Sequence, residues 1–459
     1  MILPAPDERV DTLPSGWLWK LFGELVTHSQ NGVSKRRSVT GNPTPVLRLA
    51  DVREGEIDES SPREIRLSDE EIKKYVLQVG DLLCVRVNGS RSITGRLVYF
   101  RSRKVWAYCD HFIRFRLNPD IGYSKYLAHY FNTEAVRRYL GEHMVSTAGQ
   151  NTVSQGTVLG VVVPVAPVNQ QRAVVAEIEK QFSRLDEAVA NLKRVKANLK
   201  RYKAAVLKAA VEGRLTEDWR KQHPNVEPAS KLLERILAER RAKWKGNGTY
   251  KEPDSLDTSN LPELPDSWCW ANLEQIKLFS LYGPRFSSED YATNGPLVLR
   301  TSDISESGKV RQDTAPRLSL TADEVSKYRL ERGDLLITRT GSLGTLAVFN
   351  DAVEAIPGAY LIQYRMGAPF ETVQYIFHFF KSPVGQKQLI GGGAGVGRPN
   401  LNAPTIEAIS IPLPSLAEQM RIVAEVERRL SIIEELEAAV ESNLTRADRL
   451  RQSILSQAF

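Results

Sequence analysis

The chain has 459 residues, 42% of them hydrophobic, and a net charge of +7; at about 150 residues per domain it can form roughly three cores without a disulfide or metal staple. Cys84, Cys109 and Cys269 stand singly, with no C-x-x-C pair, which argues against a zinc framework or a secreted scaffold and fits a reducing cytoplasm. No run approaches 18 apolar residues and MILPAPDERVD lacks the charge and apolar pattern of a signal peptide, so neither a membrane span nor a leader is expected, while the basic balance permits binding to nucleic acid.

In chain order, the first marked feature is Leu13-Pro-Ser-Gly-Trp17-Leu-Trp19, which returns as Leu264-Pro-Asp-Ser-Trp268-Cys-Trp270. Val46-Leu-Arg-Leu-Ala-Asp-Val52 then matches Val298-Leu-Arg-Thr-Ser-Asp-Ile304. Lys74-Tyr-Val-Leu-Gln-Val-Gly-Asp-Leu-Leu83 matches Lys327-Tyr-Arg-Leu-Glu-Arg-Gly-Asp-Leu-Leu336, with seven of ten positions identical. Each copy opens this segment with a capped helix start, Ser68-Asp-Glu-Glu or Thr321-Ala-Asp-Glu. A turn follows into a short β-rich run, Asp81 to Val87 or Asp334 to Thr338. A period this long is a domain duplication rather than a solenoid.

The exits match as well: Val161 to Glu179 aligns with Ile409 to Glu427, each running into a long segment without Pro or Gly. In the first segment apolar residues recur at Ile178, Phe182, Leu185, Val189, Leu192, Val195, Leu199, Tyr202 and Val206. In the second they recur at Val423, Val426, Leu430, Ile433, Val440, Leu444 and Ile454. Steps of three and four over about five heptads predict helices that pair as a coiled coil, each roughly 60 Å long. The first is rich in Lys and Arg and the second in Asp and Glu, which favours pairing with each other. Between them, Ser230 to Lys245 reads as a charge-rich helix with Leu233, Ile236, Leu237 and Trp244 on one side, and Gly246 to Asn260 as a solvated linker. The fold class is α+β: two tandem globular halves, internally duplicated with pseudo-twofold symmetry and joined by an antiparallel helix pair. The expected divisions are 1–167, 168–250, 251–415 and 416–459.

Catalytic signatures are weak. Gly391 to Asn400, GGGAGVGRPN, lacks the Lys-Ser/Thr of a P-loop and places Pro399 where a Rossmann helix would start. Glu71-Ile-Lys73 lacks the upstream Pro-Asp of a metal-dependent nuclease and reads as a helix face. The six histidines do not cluster at metal-ligand spacing, so no catalytic or metal site is expected. The copies instead share basic, glycine-containing loops, whose Arg and Asn side chains are the types that pair with base edges and whose glycines permit close approach to phosphates. Candidate DNA contacts in the first copy are Lys35, Arg36, Arg37, Arg86, Asn88, Arg91, Arg96, Arg101, Arg103, Lys104, Gln150 and Asn151. In the second they are Arg285, Arg339, Thr340, Ser342, Arg398 and Asn400.

The duplicated W-x-W starts, the duplicated KYxLxxGDLL, the Pro-rich exits into EQ-x-R-I-V-A-E-like helices and Ala209-Ala-Val-Glu-Gly-Arg-Leu-Thr-Glu-Asp-Trp-Arg220 together resemble the specificity subunits of type I restriction–modification systems, over essentially the whole chain. The resemblance implies two target-recognition domains, each reading half of a split duplex DNA site, held apart by the helix pair. It implies docking of two methyltransferase subunits and of restriction subunits in a prokaryotic cytoplasm. It also implies no catalysis by this chain, with S-adenosylmethionine, ATP and magnesium carried by those partners. A stand-alone DNA-modifying enzyme and a coiled-coil scaffold or RNA-binding adaptor are the alternatives. The Glu212-Gly-Arg-Leu-Thr extension follows the first long helix and has no counterpart after the second.

Overall fold

A computed structural model describes residues 13–35, 40–53, 56–244, 248–340, 344–391 and 401–459. The chain divides into two compact units, residues 1–193 with 441–459, and residues 194–440. Each is built on the same three sheets. In the first, the four-stranded sheet runs in the order Val26–Asn31, Phe112–Leu117, Leu82–Val85, Leu97–Tyr99. In the second, the order is Lys277–Tyr282, Leu361–Met366, Leu335–Thr338, Leu346–Val348. A three-stranded mixed sheet centres on Asn42–Leu47 in one unit and on Tyr291–Leu299 in the other. A two-stranded sheet joins each W-x-W start to its Pro-containing exit, Leu18–Leu21 with Val162–Val165 and Cys269–Asn272 with Ser410–Leu413.

The repeated motif is explained residue by residue. Gly80 and Gly333 have φ of +101° and +95°, a left-handed turn that a Cβ would strain. Asp81 and Asp334, each 1% exposed, accept the backbone N–H three residues earlier at 2.8 and 2.7 Å. Each carboxylate also takes two N–H donors from an arginine on the neighbouring strand, Arg116 at 2.8 and 2.9 Å and Arg365 at 2.9 and 2.8 Å. Leu82, Leu83, Leu335 and Leu336 are fully buried. Gly-Asp-Leu-Leu is thus a turn tied into a buried strand. The expected helix caps form as well: Ser68 and Thr321 accept the amides of Glu71 and Glu324, whose carboxylates reach back to the cap amides.

The long helices span Val168–Val211 and Leu416–Ala458, about 66 and 64 Å at 1.5 Å per residue. In the first unit Ile178, Phe182, Leu185 and Val189 pack with Ala447, Ile454 and Leu455, and Arg451 pairs with Asp186 and lies over the Phe182 ring. In the second, Val206, Leu207 and Ala210 share a core with Val423, Val426 and Leu430. Within each unit the two helix segments therefore run antiparallel. Ile433 and Val440 are buried, and Leu192, Leu199 and Leu444 half-buried. Val195 and Tyr202 depart from the expected seam, being 44% and 48% exposed. A seven-residue repeat drifts about 20° per heptad on a straight helix, which leaves these two at the stripe's edge. The connector helix is Ala229–Ala242; it buries the expected Ile236 together with Ala229 and Leu232, Leu233 and Leu237 are half-buried, and Trp244 lies past its end and is exposed.

The duplication also places a histidine on a helix packed under each half. His129 meets Phe182 edge-on at 5.7 Å, and His378 lies 4.0 Å from Glu427. Burial pushes His378 down to about 4 and His129 in the same direction. A folded-state value below the unfolded 6.5 means that the unfolded chain binds more protons between those limits. Stability from this site is therefore full above about pH 6.5 and lost as pH falls toward 4, by up to about 3 kcal/mol. Urea titrations at pH 7 and pH 4.5 should show this loss in the wild-type chain and a smaller one in His378→Gln; equal losses would rule out His378 as its source.

Candidate nucleic-acid interface

In the first unit the loop after the Leu82–Val85 strand meets a hairpin, Val145–Thr147 with Gln150–Thr152. Its tip, Ala148-Gly149, has φ of +49° and +76°, as a two-residue turn between twisted strands requires. Val87–Asn88 adds a third strand. Val145 is 66% exposed, and Ser146, Thr147 and Gln150 are also exposed, so the ribbon presents a free face. A two-stranded ribbon fits the major groove of duplex DNA.

Several predicted contacts instead build this platform. Asn151 is 7% exposed; its amide donates to the carbonyls of Asn88 and Gly89 at 3.3 and 2.9 Å and accepts from the Ser146 hydroxyl at 2.6 Å. Asn88 accepts the Ser90 amide at 2.8 Å. Arg91 donates to the Gly141 carbonyl and Arg96 to that of Ser92. Local hydrogen bonding thus engages these groups, while Arg91 and Arg96 remain exposed. The platform's main brace was not expected at all. Arg137, pushed down to about 10 by burial, donates to the carbonyls of Arg91, Ser92 and Thr94 at 3.1, 3.1 and 2.7 Å.

The other candidates are dispersed. Arg86 is half-buried at the loop's root. Lys35 pairs with Glu71 at 2.5 Å, which holds that carboxyl below its usual range, and Lys104 pairs with Glu59 at 2.9 Å. Arg101 lines a cleft beside the first long helix with Lys125, Glu179 and Arg451, and Arg103 is exposed. In the second unit Arg285 is exposed, Thr340 half-buried, and Arg339 stacks over the Tyr282 ring at 4.7 Å. Arg36, Arg37, Ser342, Arg398 and Asn400 lie outside the described residues.

Arg86 and Arg339 nevertheless occupy equivalent places. The Arg86 amide donates to the His111 carbonyl at 2.7 Å and its carbonyl accepts from Val153 at 3.0 Å. For Arg339 the partners are Tyr360 at 3.0 Å and Leu401 at 2.9 Å. Each arginine thus joins the end of a buried strand to the loop that follows it.

Among the described residues one group, Cys109, Asp110 and His111, brings three ligand-type atoms within 4.8 Å of one another. Cys109 and His111 line a cleft of about 290 Å³ whose other walls include Lys35, Arg48 and Arg63, a cationic surrounding that disfavours a metal ion. No described helix is long and apolar enough to cross a membrane.

Two α+β units on one plan, each closed by segments of two antiparallel helices and each carrying a loop led by an equivalent arginine, define a duplicated fold. Residues 284–445 match the family model of the type I restriction modification DNA specificity domain. The chain is 33% identical over 230 residues to the type I restriction enzyme StySPI specificity subunit of Salmonella potsdam, a match over 49% of this chain and 50% of the relative. It therefore spans about half the length of that curated relative. Its fold is similar over 98% of both chains to a chain from work on complex assembly and conformational transition of the type I R-M system (TM-score 0.67, 18% identity). It is similar over the same shares to the HsdS subunit from Thermoanaerobacter tengcongensis (TM-score 0.52, 18% identity). Residues 284–445 thus resemble a type I restriction modification DNA specificity domain, and about half of the chain is similar to a specificity subunit of that kind.

Proposed function

We propose that this chain is the DNA-reading, non-catalytic subunit of a type I restriction–modification complex, recognising a bipartite duplex target with one half-site per unit. The observation that carries this reading is the equivalent placement of Arg86 and Arg339 at the roots of the recognition loops, joined in the first unit by the exposed ribbon at Val145–Thr152. One loop reads few base pairs, and each good bidentate contact contributes about 1–3 kcal/mol; two units acting on one duplex multiply their discrimination. The continuous long helices support a spacer that sets the gap between half-sites. Methyltransferase subunits, two of them, and restriction subunits supply the chemistry, with S-adenosylmethionine, ATP and magnesium bound there.

Selection from random duplex DNA, with this chain co-expressed with a methyltransferase subunit of a type I system, tests the reading. Two short blocks around a fixed unspecific gap are expected. A contiguous motif would sink the bipartite reading, and no enrichment from a folded complex would favour a scaffold. Arg339→Ala should relax one half-site by about 10–100-fold and leave the other unchanged; equal loss at both halves in the same selection would count against independent units.

A further inference from the structure

The extension after the first long helix has a partner, visible when the two halves are set side by side. In each, the first tryptophan of the W-x-W start donates its indole N–H to the third residue of a long helix. Trp17 donates to Gln170 and Trp268 to Glu418, both at 2.8 Å. Each tryptophan also meets a tyrosine edge-on at 6.4 Å, Tyr126 or Tyr375. The geometry is shared and the charge is not. Gln170 is an exposed neutral amide, whereas Glu418 is a carboxylate with no exposed surface.

The extension is what buries it. The first long helix ends at Val211, and two residues on Gly213, with φ of +71°, turns the chain back. A Cβ there would come within 3.2–3.4 Å of Pro265, Arg220 and Trp268. The Thr216 hydroxyl donates to Glu418 at 2.6 Å and the Arg220 guanidinium at 2.5 Å. Arg220 also donates to the Gly213 carbonyl at 2.9 Å and lies 5.9 Å over the Trp268 ring. A buried carboxylate is tolerated only with such a cation and such donors.

We propose that residues 213–220 are a one-sided, charge-coded clasp. It fixes the start of the second long helix against the first strand of the second half, with Arg220 as its positioning residue. The first half, closed by a neutral amide, needs no cation there; the second buries a carboxylate whose cation and second oxygen's donors come from the extension. The two copies are thereby made non-interchangeable, and the segment docks in one place. This does not depend on DNA reading.

Thermal unfolding of the full chain tests it with Arg220→Ala, Glu418→Gln, the double variant and Arg220→Lys. Arg220→Ala should lower the melting temperature by about 10 °C, because it strands a buried charge. The double variant, which reproduces the Trp17–Gln170 arrangement, should recover at least half of that loss, and Arg220→Lys should lose less than Arg220→Ala. If Arg220→Ala does not fold, recovery of folded protein in the double variant carries the same meaning. A double variant no better than Arg220→Ala, or an Arg220→Ala melting within a degree of wild type, would overturn the proposal.

Discussion

Asp334→Ala will destabilise the second unit by about 3 kcal/mol, among the largest effects available from a single side chain. The carboxylate accepts the Glu331 amide, the Gln363 amide group and two N–H groups of Arg365. Its removal leaves Gln363, 1% exposed, and much of a guanidinium without their acceptor. Arg365 keeps 20% of its side chain in water, which holds the cost to the low end of the range for broken buried pairs. Asp81→Ala should cost less, because among the described residues no glutamine side chain donates to that carboxylate and Arg116 is 30% exposed. Urea unfolding of the two variants reads the difference directly. A loss below about 1 kcal/mol for Asp334→Ala would mean that the turn is held by backbone geometry alone.

The second large effect is on DNA geometry. Removing one heptad from each long helix, Val189 to Val195 and Ala438 to Leu444, shortens each by about 10 Å. At about 3.4 Å per base pair, the gap between half-sites should contract by roughly three base pairs while both half-site sequences persist. Selection on the shortened subunit, co-expressed with its methyltransferase, checks this. An unchanged gap would refute the spacer, and loss of both half-sites with the helix intact by circular dichroism would point to a helix pair that does more than space.

Much of the architecture was legible because the chain contains its own comparison. Seven identities in ten positions located the Gly-Asp-Leu-Leu turn twice, and its chemistry is local: a left-handed glycine, a carboxylate capping its own turn, two leucines facing inward. The caps at Ser68 and Thr321 and the long helices were equally readable, since each depends on residues three or four apart. The seam failed at Val195 and Tyr202, where periodicity gives an approximate face but not how far the partner helix covers it.

The interface was legible only as a set of residue types. Asn88, Asn151, Arg91 and Arg96 have the chemistry to read bases and also hydrogen-bond locally to hold the loop, and Arg137, 43 to 46 residues away in sequence, braces it. The sequence by itself determined the duplication, the α+β halves, the long helices and the family resemblance. Only the tertiary structure decided which polar groups stay free and why Glu418 can be buried, because hydrogen bonds between residues 63 or 198 positions apart leave no periodic trace in a chain.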